Sequence, residues 1–142
     1  MSDDLKFTGV IGEEQINAVW HDAAPLILRA IDVYNEHSLD EIYSSLLDGS
    51  RQLWVCGNKA IESILITQLI NKPHEKVCFL ELCAGRGVES TKFLNIIEEW
   101  AKQAGCTRME LSGRAGWKRK LKDYNLKKII LSKELQNAEE NQ

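Results

Sequence analysis

The sequence has no C-x-x-C pair among its four cysteines, Cys56, Cys78, Cys83 and Cys106, and only three histidines, His21, His37 and His74, all scattered. A structural zinc site needs ligand pairs at short spacing, so no metal is expected. Three of the cysteines have apolar neighbours (Val55-Cys56, Val77-Cys78-Phe79, Leu82-Cys83-Ala84), which reads as small buried hydrophobes in a reducing compartment. No apolar run approaches the roughly 18 residues of a membrane span. The start, Met1-Ser2-Asp3-Asp4, is acidic and carries no apolar stretch of the kind a secretory signal needs. The chain is therefore expected in the cytoplasm. No internal repeat, low-complexity segment or linker interrupts it, so residues 1–142 are expected to form one domain with a frayed tail over 136–142. What is present is an ordinary globular balance, with 44% hydrophobic and 27% charged residues. The net charge of −3 argues against a general affinity for nucleic acid.

Apolar residues Ile16, Val19, Trp20, Ala23, Leu26, Ile27, Ala30 and Val33 recur at three- and four-residue spacing, predicting a helix over 13–35. Pro25 should kink or divide it. Ser38-Leu39-Asp40-Glu41 is a capping box that opens a second helix, with Ile42, Leu46 and Leu47 on its apolar face and Gly49 ending it. The period then changes. Residues 52–56 read as a strand, 57–59 as a turn, 60–70 as an antiparallel second strand, and 71–74 as the next turn. Residues 76–83 are apolar on both faces and predict a central strand. Ala84-Gly85-Arg86-Gly87 follows directly. An amphipathic helix is expected over 89–103, with Phe93, Ile96, Ile97, Trp100 and Ala104 inward and Gly105 at its end. A strand over 107–111, a loop over 112–116, a short basic helix over 117–123 and a last strand over 128–132 complete the expected order. The fold class is α/β in the broad sense (α+β): N-terminal helices, an antiparallel meander, and a mixed central sheet flanked by helices.

The unit that could carry chemistry is strand, glycine loop, helix. A helix N-terminus offers unpaired amides and partial positive charge, and glycines let backbone close on a phosphate. Arg86 adds a charge with several donors. The same residues also suit an ordinary strand-to-helix turn. Glu81 on the expected central strand is the best candidate for a general base, with Glu62 on its neighbour a weaker one; the other reading of Glu81 is a strand residue paired with a lysine or arginine. Arg114, Lys118, Arg119, Lys120, Lys122, Lys127 and Lys128 form a basic stretch. It reads as a solvated face, as a contact for coenzyme phosphates, or as a local nucleic-acid contact through 114–128.

This order of elements, with its Gly-Arg-Gly turn, resembles the GNAT N-acetyltransferase superfamily over nearly the whole chain. The segments Pro25-Leu26-Ile27-Leu28-Arg29-Ala30, Gln52-Leu53-Trp54-Val55, Glu99-Trp100-Ala101-Lys102-Gln103-Ala104-Gly105-Cys106 and Gly113-Arg114-Ala115-Gly116-Trp117 are similar to small GNAT-like proteins of tailed phages and prophages. The resemblance implies that the central strand and the following loop, Leu82, Cys83, Gly85, Arg86 and Gly87, hold acetyl-CoA, with its pantetheine arm in a splay between neighbouring strands. It implies direct transfer of an acetyl group to an amine acceptor. The superfamily's loop, Arg/Gln-x-x-Gly-x-Gly/Ala, is met here with Leu82 at the Arg/Gln position. Its Tyr-x-x-x-Gly-Phe ending, whose tyrosine reprotonates the leaving thiolate in many members, is met with Leu121 at the tyrosine position and Tyr124 nearby. These departures leave a second expectation open: a non-catalytic phage component, virion-associated, that keeps the fold and acts through contacts with other phage proteins.

Overall fold

The computed structural model describes residues 6–34, 36–85, 91–113 and 116–136. The elements in chain order are β1 (Lys6–Val10), α1 (Gly12–Tyr34), α2 (Leu39–Asp48), β2 (Gln52–Gly57), β3 (Ile61–Lys72), β4 (Glu75–Gly85), α3 (Thr91–Gln103), β5 (Arg108–Leu111) and α4 (Gly116–Lys120). One five-stranded mixed sheet runs β1-β2-β3-β4-β5. The first three junctions are antiparallel, and α3 carries the chain across to the parallel pair β4–β5. A parallel pair needs such a crossover, because a hairpin cannot join two strands pointing the same way.

The sheet separates two apolar layers. On one face α1 and α2 bring Ile16, Ala23, Ile27, Ile31, Ile42 and Leu46 against Leu53, Val55, Ile64 and Ile66. On the other, α3 brings Phe93, Leu94, Ile97 and Ala101 against Trp54, Cys56, Leu65, Cys78 and Leu80. Alternate residues of β2 and β3 thus serve opposite layers, as a period of two requires. The Ser38 hydroxyl accepts the Glu41 amide at 3.1 Å, and Gly49 closes α2 with φ 85°, so the local signals at both ends of that helix hold.

The structure differs from expectation at six points. The strand β1 was not foreseen. Its Lys-Phe-Thr-Gly-Val pattern is a poor strand signal, and it forms through tertiary pairing with β2 and the stacking of Phe7 on Phe93, centroids 4.8 Å apart. Pro25 does not divide α1, which runs unbroken through it. The segment 76–83 lies inside the sheet but one place off its middle, which belongs to β3. Ile96 and Leu47, expected inward, are exposed, since each lies just outside the buried stripe of its helix. The last strand, 128–132, does not form: Ile129, Ile130 and Leu131 belong to no ladder and face solvent. The short basic helix is α4, which ends at Lys120 rather than residue 123. The side chain of Val33 and the tail beyond residue 136 lie outside the described residues.

Candidate functional site

The decisive irregularity is in β4. Ile66 stands opposite Leu82 and Thr67 opposite Leu80, so Glu81 is one residue more than β3 can match. Such a bulge reverses the facing of every later residue. Before it, Cys78 and Leu80 serve the α3 layer; after it, Leu82 and Ala84 serve the α1–α2 layer. The extra residue presents the Glu81 carboxylate to a recess of about 60 Å³, lined by Ala30, Ile31, Glu36, His37, Phe79, Glu81, Leu82 and Ser112.

The same region is where the sheet opens. The β4–β5 ladder runs from Val77–Arg108 to Leu80–Leu111 and stops there, whereas β4 stays paired to β3 as far as Gly85–Ser63. Ser112, the first residue past β5, lines the recess from one side, and Phe79, Glu81 and Leu82 of β4 from the other. The recess therefore sits at the point where the two parallel strands part.

Glu81 is ion-paired, the second of its two sequence readings. Arg51 Nε donates to Oε1 at 2.7 Å and Nη2 to Oε2 at 3.1 Å, a bidentate fork, while the Glu81 side chain is 9% exposed and that of Arg51 11%. Arg51 Nη1 also donates to the Ser45 hydroxyl at 3.0 Å. Hydrogen bonding to Glu81 pushes the guanidinium's pKa up, against the opposing effect of burial. His37 stands between two carboxylates, Nε2 at 3.1 Å from Glu81 Oε2 and Nδ1 at 2.9 Å from Glu41 Oε2. The His37 contact, with the Ser38 amide and Arg51, holds the Glu41 carboxyl below its usual range. Neither Arg51 nor His37 was singled out from the sequence. Arg51 is 30 residues from Glu81, and nothing local to His37 marks it beyond its place before the Ser38 cap. Glu62, the weaker candidate, is exposed near the start of β3.

Gly85 has φ 100°, and a Cβ there would meet the Glu62 carbonyl oxygen at 2.2 Å and Ser63 Cα at 2.5 Å. Glycine is needed at that position for packing on β3 as well as for the turn of the chain. Leu82 and Cys83 lie on β4 past its last rung with β5. Arg86 and Gly87 lie outside the described residues, as does Arg114. Tyr124 is half-buried in the α3 layer, where its hydroxyl donates to Glu98 Oε2 at 3.0 Å; burial, and then the Glu98 charge, push its pKa up. Leu121 is buried in that same layer, and Trp117 packs against it. In the basic stretch, Lys127 pairs with Glu110, and Lys120 Nζ lies 5.9 Å from the centre of the Trp117 ring. Cys56, Cys78, Cys83 and Cys106 form no disulfide. Among the described residues no three His, Cys, Asp or Glu side chains gather as metal ligands, and no helix is long and apolar enough to cross a membrane.

A five-stranded mixed sheet with helices on both faces is the fold of the GNAT acetyltransferases, and solved structures match it. A probable acetyltransferase matches with a TM-score of 0.69 at 10% identity, over 93% of this chain and 97% of its own. A predicted acetyltransferase from Clostridium acetobutylicum, solved with acetyl-CoA, matches with a TM-score of 0.66 at 10% identity, over 93% and 96%. An aminoglycoside acetyltransferase from an uncultured soil metagenomic sample, solved with sisomicin, matches with a TM-score of 0.64 at 9% identity, over 93% and 97%. No protein-family model matches the chain, and no curated protein matches it.

Proposed function

We propose that this chain is a GNAT-type acyltransferase that takes an acetyl group from acetyl-CoA and passes it to an amine in the cytoplasm. The observation that carries this reading is the parting of β4 from β5 after Leu80, with the Glu81 recess at the fork. The surroundings suit the cofactor. Leu82 and Cys83, on the stretch of β4 past its last rung with β5, offer an extended thiol-bearing arm a strand to lie along. The glycine at position 85, with its positive φ, turns the chain where a pyrophosphate would need backbone close by. Leu82, Cys83 and Gly85 would hold the arm, and Arg86 and Gly87 the pyrophosphate. When bound, acetyl-CoA supplies a thioester carbonyl open to attack by an amine.

The chain's own residues supply the rest. Phe79, Ile31 and Leu82 shape the recess around the acceptor, and Glu36 and Glu81 favour an amine there. Glu81 Oε2 takes the amine's proton once it is released from Arg51 Nη2 or His37 Nε2, and Glu41 keeps His37 in place meanwhile. Tyr124 is the residue we assign to return a proton to the leaving thiolate, which requires its hydroxyl to turn away from Glu98 Oε2 in the α3 layer.

One observation favours a second reading. Both Glu81 oxygens already accept hydrogen bonds from a buried bidentate partner, a geometry that serves packing as well as catalysis. On that reading the fold is kept without turnover, and the protein works through contacts with other proteins, as a phage component would. Calorimetric titration with acetyl-CoA, followed by turnover against polyamines, peptides and aminoglycosides, separates the two. The enzyme reading expects binding in the range of about 1 μM–1 mM, where KM values fall. It also expects Glu81→Gln to lower kcat by about 10²–10⁴-fold while coenzyme affinity stays. Absence of coenzyme binding overturns it and leaves the protein-contact reading.

A further inference from the structure

Both ring nitrogens of His37 face carboxylates, Nε2 at 3.1 Å from Glu81 Oε2 and Nδ1 at 2.9 Å from Glu41 Oε2. A neutral imidazole has a single N–H and can satisfy only one of them, whereas an imidazolium donates to both. Arg51 closes the circuit: its Nε and Nη2 donate to Glu81, and Nη2 also lies 3.5 Å from Glu41 Oε2. Two carboxylates thus share one fixed cation and one ring able to carry a second charge. A protonated His37 balances the group, and a neutral one leaves a negative charge in excess. The rest of the recess adds one acid, Glu36, and no cation: α1 contributes Ala30 and Ile31, and β4 contributes Phe79 and Leu82.

Direct acetyl transfer to an amine frees a proton, and Glu81 is a poor place to keep it. The Arg51 fork favours the carboxylate, and the Glu81 side chain is only 9% exposed, so little water reaches it. His37 Nε2 stands beside Glu81 Oε2, and Glu41 decides which ring nitrogen is free. A carboxylate on Nδ1 keeps the hydrogen of the neutral ring there, which turns the lone pair on Nε2 toward Glu81. The Glu41 carboxyl is itself held below its usual range, first of all by its hydrogen bond with His37.

We propose that His37 is a second catalytic residue of the recess: its Nε2 takes over the proton that Glu81 receives from the acceptor amine, and Glu41 orients the ring. This rests on the acetyltransferase reading above. As the amine nitrogen gains the acetyl group, its N–H bond breaks and an O–H bond forms at Glu81 Oε2. That O–H bond breaks in turn as an N–H bond forms at Nε2. Glu81 is then again a carboxylate on Arg51, and the imidazolium donates to Glu81 and Glu41 together, the geometry that the two distances describe. When the acetylated amine leaves, water entering the recess takes the Nε2 proton, and the ring returns to its starting tautomer.

The test is turnover of the whole chain with acetyl-CoA and an amine it accepts, followed across about pH 5–8, where histidine changes charge. His37→Gln can still hydrogen-bond to the acids but cannot take up a proton. It should lower kcat by about 10²–10⁴-fold. Acetyl-CoA affinity should stay, and the fall in rate on the acid side that a protonated His37 imposes should disappear. Free imidazole should return part of the rate to His37→Ala, which the loss of a purely structural contact would not allow. The ring can also be read without turnover. Nitrogen NMR should find the neutral His37 ring protonated on Nδ1, with that preference lost in Glu41→Ala. A parent chain that turns over while His37→Gln keeps its rate and its pH profile overturns the assignment and leaves the acetyltransferase reading standing. So does a neutral ring protonated on Nε2, which would have no lone pair for Glu81. A parent chain that binds no coenzyme, or that turns over no amine, overturns both.

Discussion

At residue 81 a carboxylate is shared by Arg51 Nε and Nη2, with His37 Nε2 beside it. Burying an ion pair stabilises little in net terms, because desolvation offsets attraction, but removing one partner strands the other charge. Arg51→Met should therefore cost about 2–4 kcal/mol of stability, less than the upper end for a fully sealed pair because His37 still faces Glu81. The double substitution Arg51→Met with Glu81→Leu should recover most of that loss. Urea denaturation of the two variants decides it, and equal destabilisation in both would mean that packing, not stranded charge, sets the cost. Gly85→Ala is a second case. The added Cβ meets backbone at 2.2 Å, and the positive φ alone costs about 1–3 kcal/mol. A midpoint unchanged from the parent chain would show that β3 and β4 can move apart at that rung.

The element with the least expected behaviour is α1, a single helix of 23 residues with Pro25 inside and exposed. Proline removes one helical hydrogen bond, the one that would reach the His21 carbonyl, and crowds that carbonyl. The helix survives because Ala23, Ile27, Ala30 and Ile31 are fully engaged in the core on either side of it. Pro25→Ala should then stabilise the protein by about 1–3 kcal/mol, read as a higher melting temperature. A lower melting temperature would mean that the proline's shape is used in packing. The contrast with α2 is instructive. There, cap and stop signals agree with the packed helix, and Ser38→Ala should cost about 0.5–2 kcal/mol by leaving the Glu41 amide without its acceptor.

For the molecule as a whole, the α3 layer should set the alkaline limit of stability. Burial pushes the Cys78 thiol up from 9.0 to about 12, and burial also raises Tyr124 in the same layer. A group whose folded pKa lies above its unfolded value holds its proton in the fold after the open chain has lost it. The stability it contributes is whole below the unfolded pKa and drains away as pH climbs toward the folded one. From Cys78 alone, unfolding free energy should fall by up to about 1.4 kcal/mol per pH unit between pH 9 and pH 12. Cys78→Ala should make that slope shallower, whatever its effect on stability at neutral pH. Identical slopes in the two proteins would assign the alkaline loss to other groups, Tyr124 first among them.

The order of helices and strands from residue 13 to residue 111 was legible in the sequence because it rests on local matters: period, caps, turn residues and a β-strand run apolar on both faces. Glu81 was legible as a candidate for the same reason, a lone acid in that run. Tertiary structure alone decided what Glu81 does there. One extra residue between Leu80 and Leu82 reverses the facing of β4, and no local preference encodes it, because a bulge exists only relative to the strand it fails to match. Arg51 and His37 reach Glu81 by the same long-range route. So does β1, which becomes a strand only when β2 offers an edge to pair with. The converse case is 128–132, whose side chains favour a strand but which joins no ladder. Strand propensity is a property of the residues, whereas a ladder needs a second backbone, and only the folded chain determines whether one is there.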